Sequence, residues 1–139
     1  MRYLLDTCVV SELTKVKPSP HVVEWVDRQS ETNLYLSVIT LGELRKGIHR
    51  LPSSEKRKRL QLWLESDLMQ RFAGRWLDIT PEVADRWGQL AAEQEKNGKV
   101  LPVLDGLIAA SAWVNGMTVV TRNVNHIESV KVAVFNPWE

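Results

Sequence analysis

Short apolar runs of strand character alternate with stretches of helical periodicity along the whole chain, and this alternation limits the fold more than any other feature. Arg2–Asp6 reads as a buried central strand, Leu34–Val38 as a second, Trp76–Ile79 as a short third, Met117–Thr121 as a fourth and Val130–Phe135 as a fifth. Between them lie helical patterns. One opens at Val9–Leu13 and is broken by Pro18 and Pro20, and a second runs from His21 to Gln29. A third starts at a capping box, Thr40-Leu41-Gly42-Glu43, and ends before Pro52. Ser53 or Ser54 caps a long basic helix carrying Leu60, Trp63, Leu64 and Leu68. Thr80-Pro81-Glu82 opens a helix that lasts to Gly98, and the last runs from Asp105 to Asn115, stopped by Gly116. Strand–helix–strand repeats of this kind need crossover connections. The fold they predict is a three-layer α/β/α sandwich around a mostly parallel sheet.

The chain has 139 residues, 44% of them hydrophobic, which predicts one domain over 1–139. A chain this long buries roughly two-thirds of the surface its unfolded form exposes. No apolar run approaches the ~20 residues of a membrane span, and Met1-Arg2-Tyr3 leads into a strand and not a signal peptide. A soluble, cytoplasmic protein is expected. The single cysteine, Cys8, excludes an internal disulfide and reads as small buried filler. A net charge of +1 provides no global field for a polyanion, and the run Lys56-Arg57-Lys58-Arg59 reads as the solvated face of a helix. The six tryptophans fall mostly inside apolar patterns and read as core.

Three acids stand at the ends of these elements: Asp6 closes the first strand, Glu43 follows the second, and Asp105 opens the last helix. Glu43 and Asp105 each have a structural use as helix caps. Capping and chemistry are compatible, because a carboxylate held by backbone donors is fixed in one orientation. In a parallel α/β sheet all three would gather outside the carboxyl ends of the strands, where such folds build their sites. Crowded carboxylates repel one another unless a cation lies among them. Mg²⁺ or Mn²⁺ is the natural occupant, being hard and content with oxygen ligands. Cys8, His21, His49 and His126 lack zinc-ligand spacing, and no nucleophile motif, phosphate-cradling loop or dinucleotide fingerprint is present. A receiver-type phosphoacceptor module would want paired acids after the first strand, where this chain has Asp6-Thr7-Cys8.

Four blocks in order carry a family resemblance: Leu4-Leu5-Asp6-Thr7 with Val9-Val10-Ser11-Glu12; Leu36-Ser37 through Thr40 to Glu43-Leu44-Arg45 and Gly47; Asp105-Gly106 with Ile108-Ala109-Ala110; and Val120-Thr121-Arg122-Asn123. They resemble the motifs of the PIN-domain nucleases, and the closing Val134-Phe135-Asn136-Pro137-Trp138 resembles the end of the FitB-like group of VapC toxins. The resemblance implies a Mg²⁺- or Mn²⁺-dependent ribonuclease, the toxin of a type II toxin–antitoxin pair. Such proteins are usually homodimers and bind a small DNA-binding antitoxin. Asp6, Glu43 and Asp105 match the acidic metal ligands, and Thr121 matches the hydroxyl residue after the fourth strand. Asn123 and His126 stand where relatives place a fourth acid, and Cys8 where relatives carry Asn. This departure keeps a second reading open, a catalytically impaired PIN fold that binds RNA or protein as a scaffold.

Overall fold

The computed structural model describes residues 1–139, the side chain of Glu128 excepted. Five strands form one parallel sheet in the order β3-β2-β1-β4-β5: β1 (Tyr3–Leu5), β2 (Leu34–Ser37), β3 (Trp76–Leu77), β4 (Thr118–Val120) and β5 (Val134–Phe135). The register pairs Leu4 with Tyr35 on one side and with Val119 on the other, so β1 is the centre of the sheet. Alternation along β1 sends Leu4 and Leu5 into two separate apolar clusters, one on each face, and both are buried. The three-layer sandwich expected from the sequence is the observed fold.

On the Leu5 face lie α1 (Thr7–Leu13), α2 (Pro20–Arg28), α3 (Val38–His49), α4 (Glu55–Leu62) and α5 (Met69–Arg71). A π-helical stretch, Trp63–Leu68, joins the last two. Leu60, Leu64, Leu68 and Phe72 recur at every fourth residue, a spacing that overshoots the turn of about 3.6 residues in an α-helix. The wider π turn restores the alignment, and all four pack in the same cluster. On the Leu4 face lie α6 (Pro81–Lys96) and α7 (Val103–Asn115), with the short α8 (Val124–Ile127) beyond β4. Among the described residues no helix is long and apolar enough to cross a membrane.

Most boundaries agree with the sequence pattern, and the departures have local causes. Thr80 caps α6 through its hydroxyl, as expected, and Gly116 ends α7 at φ +65°. The capping box at Thr40, however, does not form. Ser37 is the cap, accepting from the amide of Ile39 at 3.0 Å, and Thr40 lies buried inside α3. Likewise α7 begins at Val103, which puts Asp105 within its first turn and not at the cap. The fifth strand is shorter than expected because the chain first makes α8 and a 3₁₀ turn at Glu128–Val130. Of the tryptophans, Trp113 is an exception to the core reading, 45% exposed and stacked under Arg86 at 4.2 Å.

Gly106 makes the tightest helix contact in the molecule. A β-carbon there would come within 2.8 Å of Trp87 on α6 and 2.9 Å of Leu101. Gly106→Ala is therefore expected to destabilise the fold by about 1–3 kcal/mol through overpacking. Urea denaturation checks it, and an unchanged midpoint would show that α6 and α7 separate freely.

Candidate metal centre

The strand order reverses direction at β1 and β4, and the loops leaving these neighbours part to open a crevice at their carboxyl ends. Asp6 occupies the bend from β1 into α1. Its Oδ1 accepts from the Thr7 amide at 2.8 Å, capping α1, and its Oδ2 accepts from the Thr121 hydroxyl at 2.7 Å. Thr121, fully buried just past β4, also accepts from the Asn123 amide at 3.0 Å. One hydroxyl thus ties the two loops together. Asp105 enters from the first turn of α7, where the helix dipole favours its charge, and its Oδ2 lies 2.9 Å from Nδ1 of His126.

Asp6, Asp105, Thr121, Asn123 and His126 line one cavity of about 10 Å³, together with the apolar Ile108, Val119 and Ile127. That is room for one water-sized particle. Burial pushes the Asp6 carboxyl above its ordinary value and the nearby Asp105 adds to the rise, while hydrogen bonds from Thr121 and Thr7 oppose it. Cys8 is half-buried and not simple filler. Its Sγ lies 3.7 Å from Asp6 Oδ2 and 3.5 Å from Thr121 Oγ1, and burial together with Asp6 pushes the thiol up.

Glu43 stands apart from that cavity. Because α3 starts at Ser37, Glu43 falls in the second turn, where its Oε1 accepts from the Thr7 hydroxyl at 2.6 Å. Thr7 also lies 3.0 Å from the Thr40 hydroxyl, and its amide serves Asp6, so Glu43 reaches the Asp6 carboxylate through one residue. Sequence reasoning missed Thr7 as this link and His126 as the neighbour of Asp105. A hydroxyl directly after a capping acid was the available signal for the first, and nothing local marked the second.

Two carboxylates, a hydroxyl and an amide around a water-sized cavity are a hard-donor set that suits Mg²⁺ or Mn²⁺. Among the described residues no three His, Cys, Asp or Glu side chains stand close enough to cage an ion. None need do so, since Mg²⁺ is typically held by one or two carboxylates with substrate phosphates completing the shell.

The model of the PIN domain matches residues 3–131. The chain belongs to the PIN-domain family. Within it, the chain is 38% identical over 136 residues to the VapC ribonuclease Y4jK of Sinorhizobium fredii, covering 98% of this chain and 97% of that one. It is 39% identical over 135 residues to the toxin FitB of Neisseria gonorrhoeae, covering 97% of each. The crystal structure of FitAcB from Neisseria gonorrhoeae superposes with a TM-score of 0.94 at 39% identity, covering 99% of both chains. This PIN domain thus sits in the VapC and FitB group of toxin–antitoxin proteins, and its acids lie on the conserved architecture of that fold.

A carboxyl that ionises less readily folded than unfolded keeps its proton to higher pH in the native state. Metal-free stability is accordingly lost as pH rises from the ordinary Asp range through the raised value of Asp6. Asp6→Asn keeps an oxygen for the Thr7 amide and has no charge to desolvate. Without divalent metal, the variant is expected to melt at a higher temperature than the wild type at pH 7, the gap closing toward acid pH. A variant that melts lower at pH 7 would contradict the burial penalty.

Proposed function

We propose that this PIN domain is a metal-dependent endoribonuclease and the toxin of a type II toxin–antitoxin pair. The observation that supports the reading most is the convergence of Asp6 and Asp105 on one water-sized cavity at the carboxyl edge of the sheet. These two carboxylates would hold the ion, with Glu43 the third acid, one threonine away. When bound, Mg²⁺ or Mn²⁺ supplies an attacking water of lowered pKa and neutralises charge on the phosphodiester. Thr121 and the Thr7 amide keep Asp6 in a single orientation, so no reorganisation is required as charge develops. Glu43, fixed by Thr7, is the acid placed to take up a proton from the nucleophile's side of the site. Asn123, exposed beside Thr121, is within reach of a phosphate oxygen. Water attack spares the 2′-hydroxyl, and products with 5′-phosphate and 3′-hydroxyl ends are expected.

Asp105→Asn is expected to lower cleavage of single-stranded RNA more than about 100-fold, since losing a ligand exceeds the cost of losing its supports. Product ends are read by gel after phosphatase treatment. The scaffold reading, favoured by the neutral Asn123 and His126, requires instead that the wild type bind RNA and leave it intact with Mn²⁺ present.

The partner reading rests on a second feature. Three adjoining cavities of about 220, 150 and 300 Å³ share Trp63 and run along α1, α3 and α4, lined by Val10, Leu13, Leu44, Leu60 and Phe72. This groove suits the apolar face of an antitoxin segment, and Arg59 and Arg71 at its edges suit acidic residues on it. In solved relatives the toxin is in complex with its partner, as in the FitAB assembly on a DNA fragment. Leu62→Glu, at a position 65% exposed on the groove, is expected to abolish co-purification of the product of the adjacent reading frame without changing the melting temperature. Size-exclusion chromatography with light scattering reads both that complex and the expected toxin homodimer.

A further inference from the structure

Relatives of this group place an acid where this chain carries Asn123 or His126, and the two replacements are not equivalent in the structure. Asn123 engages the site through its backbone amide. His126 engages it through its ring, half-exposed, with Nδ1 only 2.9 Å from Oδ2 of Asp105 and the imidazole on the wall of the cavity that Asp6 also lines. Six-coordinate ions with bonds of about 2.1 Å separate neighbouring ligands by about 3 Å. The gap between Nδ1 and Oδ2 is therefore the edge that two adjacent ligands on one ion would span.

We propose that His126 is a nitrogen ligand of the divalent site and makes it selective for transition-metal ions over Mg²⁺. This rests on the reading above that Asp6 and Asp105 hold a divalent ion. The chemistry follows from donor type. A carboxylate in this position adds charge and serves Mg²⁺ well, whereas a neutral imidazole adds no charge and favours ions that accept nitrogen. Replacing an acid by His126 lowers the negative charge of the pocket, which weakens its hold on Mg²⁺, and restores affinity only for ions that gain from the nitrogen. The other histidines, His21 and His49, do not line this cavity and cannot supply the donor.

The test uses Mn²⁺ alone as the probe on the full chain, without RNA. Electron spin-echo modulation of the Mn²⁺-loaded protein is expected to show coupling to a histidine ¹⁴N. His126→Ala is expected to erase that coupling and weaken Mn²⁺ binding about tenfold while changing Mg²⁺ binding less than about twofold, by calorimetry. His126→Asp is expected to erase the coupling as well and to tighten Mg²⁺. Because the wild-type spectrum carries the assignment, the test does not depend on a variant folding. Bound Mn²⁺ with no histidine coupling, or coupling that survives in His126→Ala, overturns the proposal and leaves the divalent site standing. A wild-type chain that binds neither ion overturns both.

Discussion

The buried carboxylate of Asp6 is the point on which the architecture turns. β1 is the central strand, and it is short enough that its next residue meets the crevice between diverging loops. A charge buried there is costly unless its oxygens are satisfied, and the fold assigns each one a donor: the Thr7 amide and the Thr121 hydroxyl. These two bonds fix where α1 begins and where the chain leaves β4. The remaining repulsion comes from Asp105, a second acid carried to the same cavity by α7, and it is not relieved by any protein cation. The site holds stress that a divalent ion would discharge.

The packing around Gly106 explains how Asp105 arrives. Without a side chain at that position α7 closes on Trp87 and Leu101, which sets the depth of the adjacent acid. Residue 106 thus belongs to the core and residue 105 to the chemistry. Their adjacency means that a packing change in the α6–α7 interface alters the distance between two carboxylates.

Much of this was legible in the sequence because it rests on short-range patterns. The period-two alternation of Leu4 and Leu5, the Thr80-Pro81 start and the Gly116 stop are local rules, and the elements follow them. Asp6, Asp105, Thr121 and Asn123 were placed near one another by the strand alternation with the motif order, and they do surround one crevice. Glu43 shows where such reading stops. Thr40 and Glu43 have capping-box spacing, but Ser37 has a free backbone position at the end of β2 and captures the cap first, so burial of Thr40 overrides the local signal. A shift of the helix start by less than one turn moved the acid from the crevice to the Thr7 hydroxyl. The pairing of His126 with Asp105 depends on α8 folding back over α7, a tertiary contact that spacing does not encode.

The seven residues of α1 connect features that otherwise seem separate. At its start, Asp6 and Thr7 join the two carboxylates that flank the crevice, Asp6 itself and Glu43. At its other end, Val10 and Leu13 line the apolar groove shared with Trp63 and Phe72. A helix of two turns is too short to bend between these ends, so a displacement at Leu13 is transmitted to Asp6 nearly undiminished. An occupant of the groove therefore acts on the carboxylate geometry even where it touches neither acid. In such a small domain, binding surface and reactive edge are two faces of the same rigid element, and the hydrogen bonds of Thr7 are where one is converted into the other.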